Sequence, residues 1–229
     1  MPPDHEDDPT PRRGFLASAL AGAAGLAAAP FLTGPSAAAQ APASVSTKWD
    51  DSWTRQITGK HRAVLDSPRI EGGAGVFRTS MWLGNYQEMY GLTDQDLSAV
   101  LVIRHEAIPM VMNNEFWATY GYAKRYKKEY QDFGDALKRP VNYNPFLSLQ
   151  FGKSTMGIEP LIQRGVIVLG CGVAFGQAVA DLQKQDQLEW QDAEAKARTF
   201  LLPGVTLQPS GIFAVSRAQD AGCSYVWAI

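Results

Sequence analysis

Reactive and metal-binding side chains are scarce in this chain: 229 residues hold 2 cysteines and 3 histidines. There is no C-x-x-C, no C-x-x-C-H haem attachment and no spaced His/Cys set of zinc type. Charge of one sign is also missing. The net charge is −2, and without the first 39 residues basic and acidic side chains balance. A nucleic-acid partner is therefore not expected, because neutralising phosphates takes a basic excess. The basic run Lys124-Arg125-Tyr126-Lys127-Lys128 has Glu129 and Asp132 beside it and reads as a solvated helix face. Long apolar runs are absent too. Ala17 to Leu32 is weakly apolar and broken by Gly22, Gly25 and Pro30, so no permanent membrane span is expected. Internal repeats and coiled-coil heptads are lacking.

What is present begins with an address. Arg12-Arg13-Gly14-Phe15-Leu16, the short apolar stretch and Ala37-Ala38-Ala39 follow the order of a secretory signal with a small-residue cleavage site. The paired arginine points to the bacterial twin-arginine route, making the twin-arginine translocase a partner during export and the periplasm the destination. The expected organisation is a signal peptide over 1–39, a linker or N-terminal arm over 40–58 pinned by Trp49 and Trp53, and one domain over 59–229. That length suffices for a real core.

Five strand patterns alternate with helical ones. They are His61 to Asp66, Ser98 to Ile103, Gly165 to Gly170, Val205 to Gln208 and Cys223 to Trp227. The two continuous apolar runs, Val100 to Ile103 and Val166 to Leu169, suit central strands buried on both faces. Helices are expected after the first strand (Leu83, Tyr86 and Tyr90 on one face), over Ile108 to Tyr120, ending at Ile162, after Cys171 (Phe175, Ala178, Val179 and Leu182 on one face), over Asp192 to Leu201, and from a Ser210 cap to Gly222. Gly72-Gly73-Ala74-Gly75 reads as a loop. The expected fold is α/β: a three-layer α/β/α domain with a mainly parallel five-stranded sheet.

In such a sheet ligands gather beyond the carboxyl ends of the strands. Asp66, Ser67, His105, Glu106, Cys171, Gly172, Ser210 and Gly211 fall there. Cys171 stands at a strand-to-helix junction, where helix N–H groups favour a thiolate, so an accessible, low-pKa thiol is expected. A small buried core residue is the alternative. His105 ends the neighbouring strand and could move a proton or hold an anion. Glu106, Gly172, Ser210 and Gly211 complete the candidate ligand-binding set. His105, Glu106 and Cys171 lack local spacing, so no metal site is assigned. Cys223 lies at the opposite sheet edge from Cys171. A disulfide needs Cα atoms within about 7 Å, whereas a short strand already spans roughly 17 Å, so the two should not pair. The aromatics of 121–152 suit core or oligomer contacts, or a lid over an apolar ligand.

Three stretches resemble the DsrE/DsrF-like family of sulfur-relay and related α/β proteins: Val100-Leu101-Val102-Ile103-Arg104-His105, Val166-Ile167-Val168-Leu169-Gly170-Cys171-Gly172, and Leu202-Pro203-Gly204-Val205 through Pro209-Ser210-Gly211, with Gln219, Gly222 and Tyr225 downstream. The sequence departs from the family pattern at Glu106, where Gly is common, and in the longer aromatic segment. The resemblance implies a sulfur carrier or transferase loading a persulfide on Cys171, a sulfur-donor protein as partner, and a homo-oligomer. It also implies packing for Cys223, where the family has an aromatic. The residues alone leave a second class open, a non-catalytic exported protein binding a small molecule or a partner. They specify no cofactor.

The exported form should begin at or near Gln40, which N-terminal sequencing of periplasmic protein checks. Replacing Arg12-Arg13 with two lysines should hold the chain in the cytoplasm; an intact Met1 in the periplasm would refute the cleavage site.

Overall fold

The computed structural model describes residues 48–127, 143–151 and 154–229. The expected signal peptide over 1–39, residues 40–47 of the expected linker and the part of the aromatic segment over 128–142 lie outside them. Among the described residues no helix is long and apolar enough to cross a membrane.

The apolar runs decide the sheet. Strand β2 (Leu97–Ile103) is buried at all seven positions, and no polar face is available to meet water. It pairs in parallel with β1 (His61–Ser67) on one side and β5 (Ile167–Cys171) on the other. Two shorter strands close the edges, β6 (Val205–Gln208) beside β5 and β7 (Ser224–Trp227) beside β1, again parallel. The order is β6-β5-β2-β1-β7, with both apolar strands inside as their patterns demand. A separate antiparallel ribbon joins β3 (Leu149–Phe151) to β4 (Ser154–Met156).

Alternation along the strands sends Ala63, Leu65, Leu101, Ile103 and Val168 to one face, and Val64, Val100, Val102, Ile167 and Leu169 to the other. The first face is the larger. It is covered by α1 (Ala74–Tyr90), α2 (Asn114–Thr119), α3 (Tyr122–Arg125), α4 (Ile158–Gln163), α5 (Gly172–Asp186) and α6 (Trp190–Thr199). Helix α5 buries the expected stripe of Phe175, Ala178, Val179 and Leu182. The second face is covered by α7 (Gly211–Asp220), which lies across β1, β2 and β5 through Ala214 and Ala218, together with Trp53 and Ile57 of the N-terminal arm. The molecule is thus a three-layer α/β/α domain, as expected.

Local departures have simple causes. The segment after β2 is not one helix over 108–120. It is a 3-10 stretch over His105–Val111 holding Pro109, then a bridge from Met112 to Leu201, then α2 capped by the Asn113 side chain. Proline lacks the donor an α-helix needs, and Asn113 offers a fresh start. Gly72 to Gly75 is not a loop: Gly72 and Gly73 form the last part of a 3-10 turn and α1 starts at Ala74. Helix α6 begins two residues earlier than expected, at Trp190. Tyr90 ends α1 exposed to solvent, stacked against His61 and tilted against Tyr86 at the amino end of the sheet.

Tyr122 and Phe146 also differ from the oligomer-contact expectation. Both are 1% exposed and pack around Trp117 within this chain, leaving them no surface to offer a second copy.

Cys171 ends β5 and Cys223 precedes β7, with β2 and β1 between those strands, and both thiols are free. Non-reducing peptide mapping should return them in separate peptides; a linked pair would require a different strand order.

Candidate functional site

Because α5 returns over one face and α7 over the other, the chain leaves β5 and β6 in opposite directions. Adjacent strands that part in this way open a crevice at their carboxyl ends, where α/β sheets bind ligands. Here the crevice lies between Cys171-Gly172 and Gln208-Pro209, residues that the β5–β6 ladder sets side by side.

The N-terminal arm occupies it. Gly172 is packed so closely that a Cβ would lie 2.7 Å from the Gln208 carbonyl oxygen and 2.8 Å from Cη2 of Trp49, so only glycine fits. Gln208 Nε2 donates to the Asp50 carbonyl at 2.8 Å, and Arg217 of α7 pairs with Asp51 at 2.9 Å. Trp53 anchors the arm at 1% exposure. The arm is therefore pinned by Trp49 and Trp53, as the sequence suggested. Gln208 is fully buried; its amide hydrogens face the carbonyls of Asp50 and Leu207, which leaves Oε1 without a partner among the described residues.

Cys171 stands at the N-cap of α5 and accepts a hydrogen bond from the Ala174 N–H at 3.4 Å. Its position at the helix start is the expected one. Its exposure is not: the residue is 6% exposed, so the surface-accessible thiol expected from sequence is covered.

Beside it lies a cluster that strand patterns did not single out. Asp66, 3% exposed at the end of β1, accepts two parallel hydrogen bonds from Arg104, at 2.7 and 2.9 Å, and a third from the Tyr225 hydroxyl at 2.9 Å. The Asp66 carboxylate holds the Arg104 guanidinium above its usual pKa against the opposing effect of burial, and Tyr225 and Cys171 add to it. Burial, followed by the same carboxylate, pushes the Tyr225 phenol up. Gly211 starts α7 against Arg104, where a Cβ would meet the arginine Cβ at 2.5 Å, and Ser210 caps that helix through the Phe213 N–H. Opposite charges at the ends of two neighbouring strands, Asp66 and Arg104, were the available signal.

On the other side of Cys171 opens a cleft of about 750 Å³. His105 and Glu106 form one rim, Tyr122 and Tyr126 the floor, and Gly172 to Ala174, Gly176, Gln177 and Trp190 the opposite wall. His105 has φ 51°, a left-handed conformation that costs a non-glycine residue roughly 1 kcal/mol and that turns the chain sharply out of β2. Below the floor, Asp181 accepts from the Tyr122 hydroxyl at 2.5 Å and pairs with Arg125 at 2.6 Å. Burial works to raise the Asp181 carboxyl, but these two donors outweigh it and hold it below its usual value. Burial and the Asp181 carboxylate push Tyr122 far up, so its phenol stays neutral.

The expected site residues therefore divide into three places. His105, Glu106 and Gly172 meet around the cleft; Cys171 lies behind its wall; Ser210 and Gly211 lie beside Arg104. Tyr122, Tyr126 and Trp190 were not named as site residues, since aromatic spacing alone does not separate a core position from a cleft wall. Among the described residues no group of three His, Cys, Asp or Glu side chains could hold a metal ion.

No family model matches the chain, and no curated protein matches it. Among solved structures it is similar to a protein of unknown function from Methanobacterium thermoautotrophicum, 13% identical, over 73% of this chain and 98% of that one, with a TM-score of 0.35.

Asp66→Ala would strand the Arg104 charge and the Tyr225 hydroxyl at the junction of β1, β2 and β7. We expect a loss of about 3 kcal/mol in urea unfolding. A change below about 1 kcal/mol would show that the three strands are held without it.

Proposed function

We propose that this is an exported protein that binds a small molecule in the cleft between His105-Glu106 and the first turns of α5. The observation that carries the reading is the cleft itself. It has the volume of a small-molecule site, lies beyond the carboxyl ends of β2 and β5, and is lined by aromatic side chains with a few polar groups. Cys171, by contrast, is covered, and its sulfur is engaged as a helix cap.

Gly176→Leu tests it. Gly176 lines the cleft on a helix, and the nearest atom to an added Cβ is Trp190 Cη2 at 3.9 Å, so leucine extends into open space and favours the helix. Ligand-observed NMR of a fragment library with the full chain should give hits that bind wild type and lose binding in Gly176→Leu. Hits that bind both proteins equally, or no hits, would overturn the reading.

One arrangement favours a second reading, the thiol carrier. Cys171 combines a helix N-terminus with the nearby Arg104 charge. In that chemistry the Cys171 thiolate attacks the terminal sulfur of a donor persulfide R–S–SH. The donor S–S bond breaks, R–S⁻ leaves, and Cys171 carries the S–SH group. Trp49 would then act as a cover. Trp49→Ala should raise iodoacetamide labelling of Cys171 several-fold while Cys223 stays unlabelled, and Cys171→Ser should remove the signal. Unchanged labelling would exclude Trp49 as the cover.

A further inference from the structure

We infer that the ligand of the cleft is a small organic cation, an ammonium or quaternary ammonium compound. The inference rests on the cleft being a ligand site and adds the chemical class it takes.

Three features of the lining argue for it. Glu106 is exposed at the rim and makes no hydrogen bond or ion pair with a described residue. The same lining holds rings of high π-electron density, Tyr126 and Trp190, the latter 44% exposed. Aromatic faces attract cations, tryptophan most strongly. The floor already does this within the chain, where the Arg125 guanidinium lies over the Tyr122 ring at 4.8 Å from its centre.

Two arginines beside the cleft are paired within the chain. Arg125 is neutralised by Asp181, and Arg198, on the wall behind Trp190, is bound to Glu194 at 2.7 Å. The start of α5 would ordinarily draw an anion. Here the Ala174 N–H is already taken by Cys171 Sγ. An anion in the cleft would therefore meet the Glu106 carboxylate and ring faces. A cation meets the same groups as partners.

The test compares choline with 3,3-dimethyl-1-butanol, which replaces the charged nitrogen by carbon at nearly the same shape. Isothermal titration and ligand-observed NMR on the full-length chain should show choline binding at least about tenfold tighter than the alcohol. Trp190→Ala and Glu106→Gln should each weaken choline about fivefold. Both side chains are exposed, and thermal melting would verify that the variants stay folded. Equal binding of choline and its neutral analogue, or choline affinity indifferent to both substitutions, would overturn the cation assignment. If choline fails while neutral or anionic fragments bind and are lost in Gly176→Leu, the class is wrong and the cleft still stands as a ligand site. If nothing binds in a manner sensitive to Gly176→Leu, both readings fall.

Discussion

The central strand β2 is buried along its whole length, and the rest of the architecture answers that one constraint. Both of its edges must be hydrogen-bonded, because an unpaired backbone group out of reach of water costs as much as a lost hydrogen bond. Both of its faces must also be covered by apolar side chains. Parallel neighbours β1 and β5 meet the first need. Helices on the two faces meet the second, and a parallel sheet requires crossover connections that supply them.

The two faces are covered unequally, and the inequality creates the site. Most helices pack on one face; α7 and the arm around Trp53 cover the other. To reach its place, the chain must leave β6 in the direction opposite to that taken after β5. The crevice between those strands follows from this parting, and Trp49 occupies it. The neighbouring cleft lies where the 3-10 stretch that begins at His105 meets the first turns of α5.

Cys171 sits between crevice and cleft, and its surroundings separate two chemistries that share one sheet edge. On the α7 face the row Asp66, Arg104, Cys171 and Gln208 is buried or nearly so, and closely bonded. Such a row holds strands together and shelters a thiol. On the other side the cleft is open, aromatic and carries the Glu106 carboxylate, which has no ion-pair partner among the described residues. Binding in the cleft does not require the sulfur, which is covered.

How much of this could be read from the residues differs by level. The alternation of strand and helix, the two apolar central strands, the α5 stripe of Phe175, Ala178, Val179 and Leu182, and the Ser210 cap are local patterns, and local periodicity determines them. The position of Cys171 at a helix start follows from the same local order. Its burial does not, because the arm that packs beside it comes from more than a hundred residues earlier in the chain. Proline and Asn113 broke the helix expected over 108–120 through hydrogen-bond capping, which a hydrophobic pattern does not weigh. The pairing of Asp66 with Arg104, the use of Gly172 and Gly211 for close approach, and the grouping of Glu106, Tyr126 and Trp190 around one cleft join residues from separate strands and helices. Only the packing of those elements decides them, because side chains far apart in the chain meet according to strand order and the face each helix takes.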